Sequence, residues 1–116
     1  MQLTLEHMPS TLPLPFSAAV RAGSVLYLSG QLGIDPGSNK LVEGGIAAET
    51  RQALENIEAV LFNAGSSKEK LVRCEVFLSD FTDFSTMNEA YKTFFGPGPY
   101  PARTAVAVAG MALNAK

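Results

Sequence analysis

Few side chains in this sequence have the type and setting to do chemistry, and Arg103 leads them. It stands in Tyr100-Pro101-Ala102-Arg103-Thr104, where an apolar run begins after a proline-rich loop. A guanidinium presents a rigid fork of donors that fits a carboxylate with two parallel hydrogen bonds, and it keeps its charge. The bland alternative is a solvated arginine at a strand end. The chemistry open to it is the anchoring of a small carboxylate-bearing molecule. A second group is Ser29, Gly30 and Gln31, at the end of the β-rich run Val25-Leu26-Tyr27-Leu28. Glycine there serves either a turn that needs positive φ or a ligand that approaches the backbone closely. Phe16 could close over an apolar group or simply pack. Asn88 falls on a helical stretch and could turn its amide toward a cleft or toward solvent.

Other chemistries lack their parts. The one cysteine, Cys74, sits in the strand-like run Val72-Arg73-Cys74-Glu75-Val76-Phe77-Leu78 and reads as a small buried hydrophobe. A reactive thiolate needs a basic or cationic neighbour, and the one histidine, His7, is far away in sequence. One His and one Cys cannot build a nitrogen/sulfur metal cage, and no loop has the acidic spacing of a calcium site. No metal site is expected. A single cysteine also excludes an intrachain disulfide.

The net charge of −2, with no Lys/Arg block, lacks the electrostatic footprint of a nucleic-acid binder. No apolar run reaches the ~20 residues that span a bilayer. The start, Met1-Gln2-Leu3-Thr4-Leu5-Glu6-His7, has no basic segment followed by an apolar one, so a cytoplasmic protein without membrane or nucleic-acid partners is expected. With 47% hydrophobic and 17% charged residues, the chain has the composition of a globular protein, and its 116 residues predict a single domain spanning 1–116.

The elements that must position Arg103 follow from periodicity. Alternation over 2–7 predicts a half-exposed strand. Prolines 9, 13 and 15 predict an extended loop over 8–17. Strands are predicted at 18–22 and 25–29, with Gly23-Ser24 as the hairpin turn between them. Asp35-Pro36-Gly37-Ser38-Asn39 is a turn, and Leu41-Val42 starts a short extended piece. A helix is predicted over 47–64, with Ala53, Leu54, Ile57, Val60, Leu61 and Ala64 on one face. Glu49, Arg51, Gln52, Glu55 and Glu58 cover the rest, and Gly65 ends the helix. A strand over 70–79 follows. A second helix starts near Asp83 or Ser85 with Phe84, Met87, Tyr91, Phe94 and Phe95 as its apolar face. Gly96-Pro97-Gly98-Pro99 stops it. A last strand runs from Arg103 to Ala109, with Val106 and Val108 on one face. The order β-β-β-α-β-α-β predicts an α+β two-layer sandwich, two helices on one face of a mixed sheet. A sheet edge after the last strand is left open.

Five segments, in order and over nearly the whole chain, resemble those of the RidA/YjgF family of reactive-intermediate deaminases. They are Pro15-Phe16-Ser17-Ala18-Ala19-Val20, Leu28-Ser29-Gly30-Gln31-Leu32-Gly33, Gln52-Ala53-Leu54-Glu55-Asn56-Ile57, Phe84-Ser85-Thr86-Met87-Asn88-Glu89-Ala90-Tyr91 and Tyr100-Pro101-Ala102-Arg103-Thr104. The resemblance implies a chorismate-mutase-like fold and a homotrimer with clefts between subunits. It implies hydrolysis of 2-imino acids, such as 2-iminobutanoate and 2-iminopropanoate, or of their enamine tautomers, to 2-oxo acids and ammonia, without a cofactor. It gives Arg103 the catalytic and carboxylate-anchoring role, with Ser29, Gly30, Gln31, Phe16 and Asn88 beside the substrate. Phe16 stands where the family often has tyrosine, so a hydroxyl is missing at that position. In the family, a stretch like Ala112-Leu113-Asn114-Ala115-Lys116 is followed by a final strand whose glutamate is thought to position the attacking water, and this sequence ends before such a strand. Among the remaining carboxylates, Glu43, Glu75 and Glu89 are alternatives that the sequence does not separate. Two further readings compete: a binding protein for small carboxylates without turnover, and an endoribonuclease. The second suits neither the charge nor the single histidine.

Overall fold

A computed structural model of the protein describes residues 4–116. Three strands form an antiparallel meander: β1 (Leu5–Pro9), β2 (Ser17–Ala22) and β3 (Val25–Leu28). The turn between β2 and β3 is tight, with Ala22 opposite Val25, and it uses Gly23 at a φ of 61°. The two-residue loop needs this left-handed conformation, which glycine adopts without a side-chain clash. The strand expected at 2–7 lies partly outside the described residues. Within them β1 runs on to Pro9, inside the segment expected to be loop. The pairing shifts at Met8/Pro9, as a proline that cannot donate to the ladder requires.

Two short strands, β4 (Ile34–Asp35) and β5 (Lys40–Leu41), flank the expected turn and add a hairpin that the predicted order lacked. The turn is closed by Asn39 N donating to Asp35 O at 2.8 Å and Ser38 N donating to Asp35 Oδ2 at 3.2 Å. Helix α1 then spans Gly45–Asn63, and Gly65 follows it at a φ of 80° as expected. Leu54 and Leu61 are its buried apolar positions, and Ala64 at its C-cap is buried as well. The Arg21 guanidinium donates to Ala64 O, tying β2 to the helix's last carbonyls, where a cation is also favoured by the helix dipole.

One residue departs from the predicted polar face of α1. Glu49 is buried, and its Oε1 accepts the Lys116 backbone N–H at 2.9 Å. The cause is the loop after β3, which lies directly on this turn. A Cβ added at Gly33 would meet the Cα of Glu49 at 2.6 Å, so only glycine permits the approach.

After α1 come β6 (Arg73–Leu78), helix α2 (Phe84–Phe95) and β7 (Ala102–Ala107). β6 and β7 are parallel, with α2 as the crossover between them, the connection that parallel neighbours require. Asp83 occupies the N-cap of α2 but its side chain makes no capping bond. Asp80 caps the preceding 3-10 turn instead, accepting from Thr82 N at 2.9 Å and Thr82 Oγ1 at 2.7 Å. Those hydrogen bonds hold the Asp80 carboxyl below its usual range.

The strands thus run in both directions, as a mixed arrangement, but pair in three ladders rather than one continuous sheet: β1-β2-β3, β4-β5 and β6-β7. Helices α1 and α2 pack against each other, and the core lies beneath them. Leu54 of α1, Leu78 of β6 and Met87 and Tyr91 of α2 form its centre, with Ile57, Val76, Phe84, Phe95 and Ala105 around them. Leu78 and Met87 are each only 1% exposed. Leu78→Ala should therefore cost about 2–5 kcal/mol of stability through lost burial and an unfilled cavity. Urea unfolding measures it, and a change below 1 kcal/mol would contradict this description of the core.

Candidate functional site

Alternation along β7 sends Arg103 and Ala105 toward the helices and Val106 to the opposite side. In the parallel register Arg103 stands opposite Cys74. On α2, Phe84, Met87 and Tyr91 follow one another at spacings of three and four, so they share the face that covers Arg103. The guanidinium carbon lies 4.8 Å from the Tyr91 ring centroid and 5.7 Å from that of Phe84. Its Nη1 is 3.9 Å from the Met87 sulfur. Among the described residues Arg103 forms no salt bridge; the ion pairs are Lys68–Glu58, Arg73–Glu75 and Lys92–Glu89. A cation half-buried against ring faces and a thioether has its charge partly stabilised, yet most of its fork of donors remains to be satisfied.

Arg103 opens into a cavity of about 450 Å³. Asn88, Glu89, Tyr91 and Lys92 of α2 line it, together with Tyr100 and Pro101 from the loop before β7. The structure therefore brings two of the expected site residues, Arg103 and Asn88, to one place. Of the three carboxylates that the sequence does not separate, Glu89 lines this cavity and Glu43 and Glu75 do not. Glu89 is exposed and lies 3.9 Å from Lys92. A second groove, of about 360 Å³, runs along the outer side of α1 by Glu55, Glu58 and Phe62 and contains no arginine.

Ser29, Gly30, Gln31 and Phe16 do not line the Arg103 cavity. They belong to the first ladder and its loops. The Ser29 hydroxyl donates to Ser17 O at 2.6 Å, and its N–H donates to Ala18 O at 3.1 Å, so the residue is fixed to β2. Asn56 of α1 anchors the loop beyond it, its Nδ2 donating to Ile34 O at 2.8 Å and Leu32 O at 3.3 Å. Gly30 is not at positive φ, and a Cβ there would meet nothing within 4 Å. The turn explanation for this glycine is therefore wrong, and the space beside it is open. Phe16 remains 42% exposed, so packing within its own chain does not account for it either.

Tyr91 escaped the sequence reading as a site residue, because its place on the apolar face of α2 marked it as core. It is core, at 5% exposure, but it also walls the cavity. Its hydroxyl is buried without a hydrogen-bond partner among the described residues, and the Cys74 thiol lies beside it. Tyr100 and Lys92 were missed because they lie outside any pattern that periodicity detects.

The cavity thus lies between a crossover helix and a parallel strand of an α+β fold, and the arginine beside it has no salt-bridge partner among the described residues. Residues 8–116 match the sequence profile of the family described as Endoribonuclease L-PSP, and the chain belongs to that family. It is 45% identical to a 2-iminobutanoate/2-iminopropanoate deaminase of Mus musculus, over 84% of this chain and 71% of the mouse protein. A RutC family protein of Pyrococcus horikoshii is 46% identical over 81% of this chain and 74% of that protein. Among solved structures, E. coli TdcF with bound serine superposes with a TM-score of 0.85 at 32% identity, covering 95% of this chain and 87% of that one. RidA from an Antarctic Psychrobacter gives 0.84 at 38% identity, covering 94% and 86%. The fold is thus that of the RidA/YjgF proteins, as the sequence motifs implied. Among the described residues no helix is long and apolar enough to cross a membrane.

Burial, with the Cys74 neighbour second, pushes the Tyr91 phenol above its ordinary value of 10.0. The folded chain then holds a proton that the unfolded chain releases. The associated stability is complete below pH 10 and is lost as pH rises beyond it. Thermal melts of wild type and Tyr91→Phe across the alkaline range check this. The wild type should lose melting temperature more steeply above pH 10, and parallel curves would contradict it.

Proposed function

We propose that this protein hydrolyses small 2-imino acids, or their enamine tautomers, to 2-oxo acids and ammonia, with Arg103 anchoring the substrate carboxylate. The observation that carries this reading is the state of Arg103: a cation backed by ring faces, without a salt bridge among the described residues, opening into a cavity. Relatives of about 45% identity that are named as such deaminases support it. In the reaction, water adds to the imine carbon, nitrogen gains protons, and ammonia leaves as the carbonyl forms. No redox partner is needed. Fixing the carboxylate holds the imine carbon in place for attack, and orientation of this kind can contribute several kcal/mol.

The assembly that completes the site is a homotrimer in a compartment such as the cytoplasm. Leu5, Val25, Tyr27, Phe77 and Val106 are exposed, and the last two sit opposite one another in the β6-β7 register, on the side away from the helices. An apolar sheet face of this kind favours association. On this reading Ser29, Gly30, Gln31 and Phe16 of one subunit face Arg103 and Asn88 of the next. Their separation within a single chain fits that arrangement.

The competing reading, binding without turnover, is favoured by the lone cavity carboxylate, Glu89, being exposed and next to Lys92. A coupled assay decides. A threonine dehydratase generates 2-iminobutanoate in the presence of semicarbazide, and catalysis by this protein should lower semicarbazone formation; no change would leave only binding. Arg103→Ala should weaken 2-oxobutanoate binding about 10- to 100-fold, the worth of charge-assisted hydrogen bonds, with the melting temperature retained. Calorimetry with unchanged affinity would remove Arg103 from the site. Light scattering should give three times the 12.3 kDa chain mass, and a monomer would remove the inter-subunit cleft.

A further inference from the structure

We propose that Tyr91 is a positioning residue for Arg103, holding the guanidinium by its ring face so that the donor edge is presented ready-made to a carboxylate. The inference rests on the reading of Arg103 as the anchor. It begins with the demands of an arginine side chain. Arginine is long and rotamer-rich, and freezing it when a ligand arrives opposes binding. A site that holds it in place beforehand avoids that loss. A ring face meets the guanidinium plane through its π cloud and takes up none of the five N–H donors. Stacking and carboxylate binding are therefore compatible, where an internal carboxylate partner would compete with the ligand.

The surroundings of Tyr91 make it a fixed platform. It is 5% exposed on a helix interior. Phe95 packs on its ring at 4.7 Å between centroids, and Phe94 meets Phe95 edge-on at 5.0 Å. Met87 and Leu78, each 1% exposed, belong to the same cluster. The guanidinium carbon lies 4.8 Å from the Tyr91 centroid, nearer than the 5.7 Å to Phe84, which makes Tyr91 the principal support. Among the described residues the buried hydroxyl has no hydrogen-bond partner, the guanidinium included, so the ring and not the hydroxyl performs this role.

Two readouts on the full chain test it. The first needs no ligand: the Nε–Hε proton of Arg103 in NMR, assigned by its loss in Arg103→Lys. Ring current from Tyr91 should shift it upfield of the other arginines. The shift should persist in Tyr91→Phe and disappear in Tyr91→Leu. The second is calorimetric binding of 2-oxobutanoate. Tyr91→Phe should stay within about twofold of wild type, and Tyr91→Leu should bind about tenfold more weakly, the worth of a partly desolvated cation–π contact. If Tyr91→Leu does not fold, the wild-type and Tyr91→Phe resonances decide alone. An Arg103 signal among the other arginines, or Tyr91→Leu binding as tightly as wild type, overturns the proposal. In either case, lost binding in Arg103→Ala leaves the carboxylate reading standing. Unchanged binding in Arg103→Ala removes both.

Discussion

The guanidinium of Arg103 rests against the face of Tyr91, and much of the architecture reads as support for that contact. A charged group leaves water only at a high cost unless something stabilises it. Here the stabilisation comes from π faces and a thioether rather than from an internal carboxylate. The charge is therefore tolerated by the fold and still available to an anion. An internal salt bridge would have made the same arginine a structural residue.

The contact sets requirements at increasing range. Arg103 must lie on the helix-facing side of β7, which fixes the alternation of that strand. The parallel pairing of β7 with β6 brings Cys74 and Val76 under α2 beside Arg103 and Ala105. Helix α2 must present Phe84, Met87 and Tyr91 on one face, and the 3-10 turn capped by Asp80 fixes where that helix begins. Helix α1 packs on α2 from the side. Its ties to the loop after β3 and to β4, through Asn56, and to β2, through Arg21 at Ala64 O, connect the Ser29 segment to the layer that carries Arg103.

Legibility in the sequence followed the physics of each element. Both helices were readable to within a few residues, because their apolar faces repeat every three or four positions over many residues. The β2-β3 hairpin was readable from Gly23-Ser24 between two β-forming runs. Of the β4-β5 hairpin only the turn and a short extended piece after it were readable, since strands of two residues carry no periodicity. Glu49 was misread because burial by a loop, made possible by Gly33 some sixteen residues earlier in the chain, leaves no trace in the helix pattern. The expectation for Arg103 came from the chemistry of its side chain and the motif around it, and the structure sets that side chain beside a cavity. Tyr91 was not legible as a cavity residue, because one residue serves as core and as cavity wall, and a hydrophobic pattern reports only the first. The division of the expected site into two groups, Arg103 with Asn88 and Ser29 with its neighbours, depends on tertiary placement and lies beyond any local signal.

The central claim is that Arg103 receives a carboxylate in the cavity beneath α2. A crystal structure of the protein soaked with 2-oxobutanoate tests it most directly. The account predicts the ligand carboxylate within hydrogen-bond distance of the Arg103 guanidinium, which would still be stacked on Tyr91. A ligand bound elsewhere with this cavity empty, or an Arg103 turned away into solvent, would contradict it.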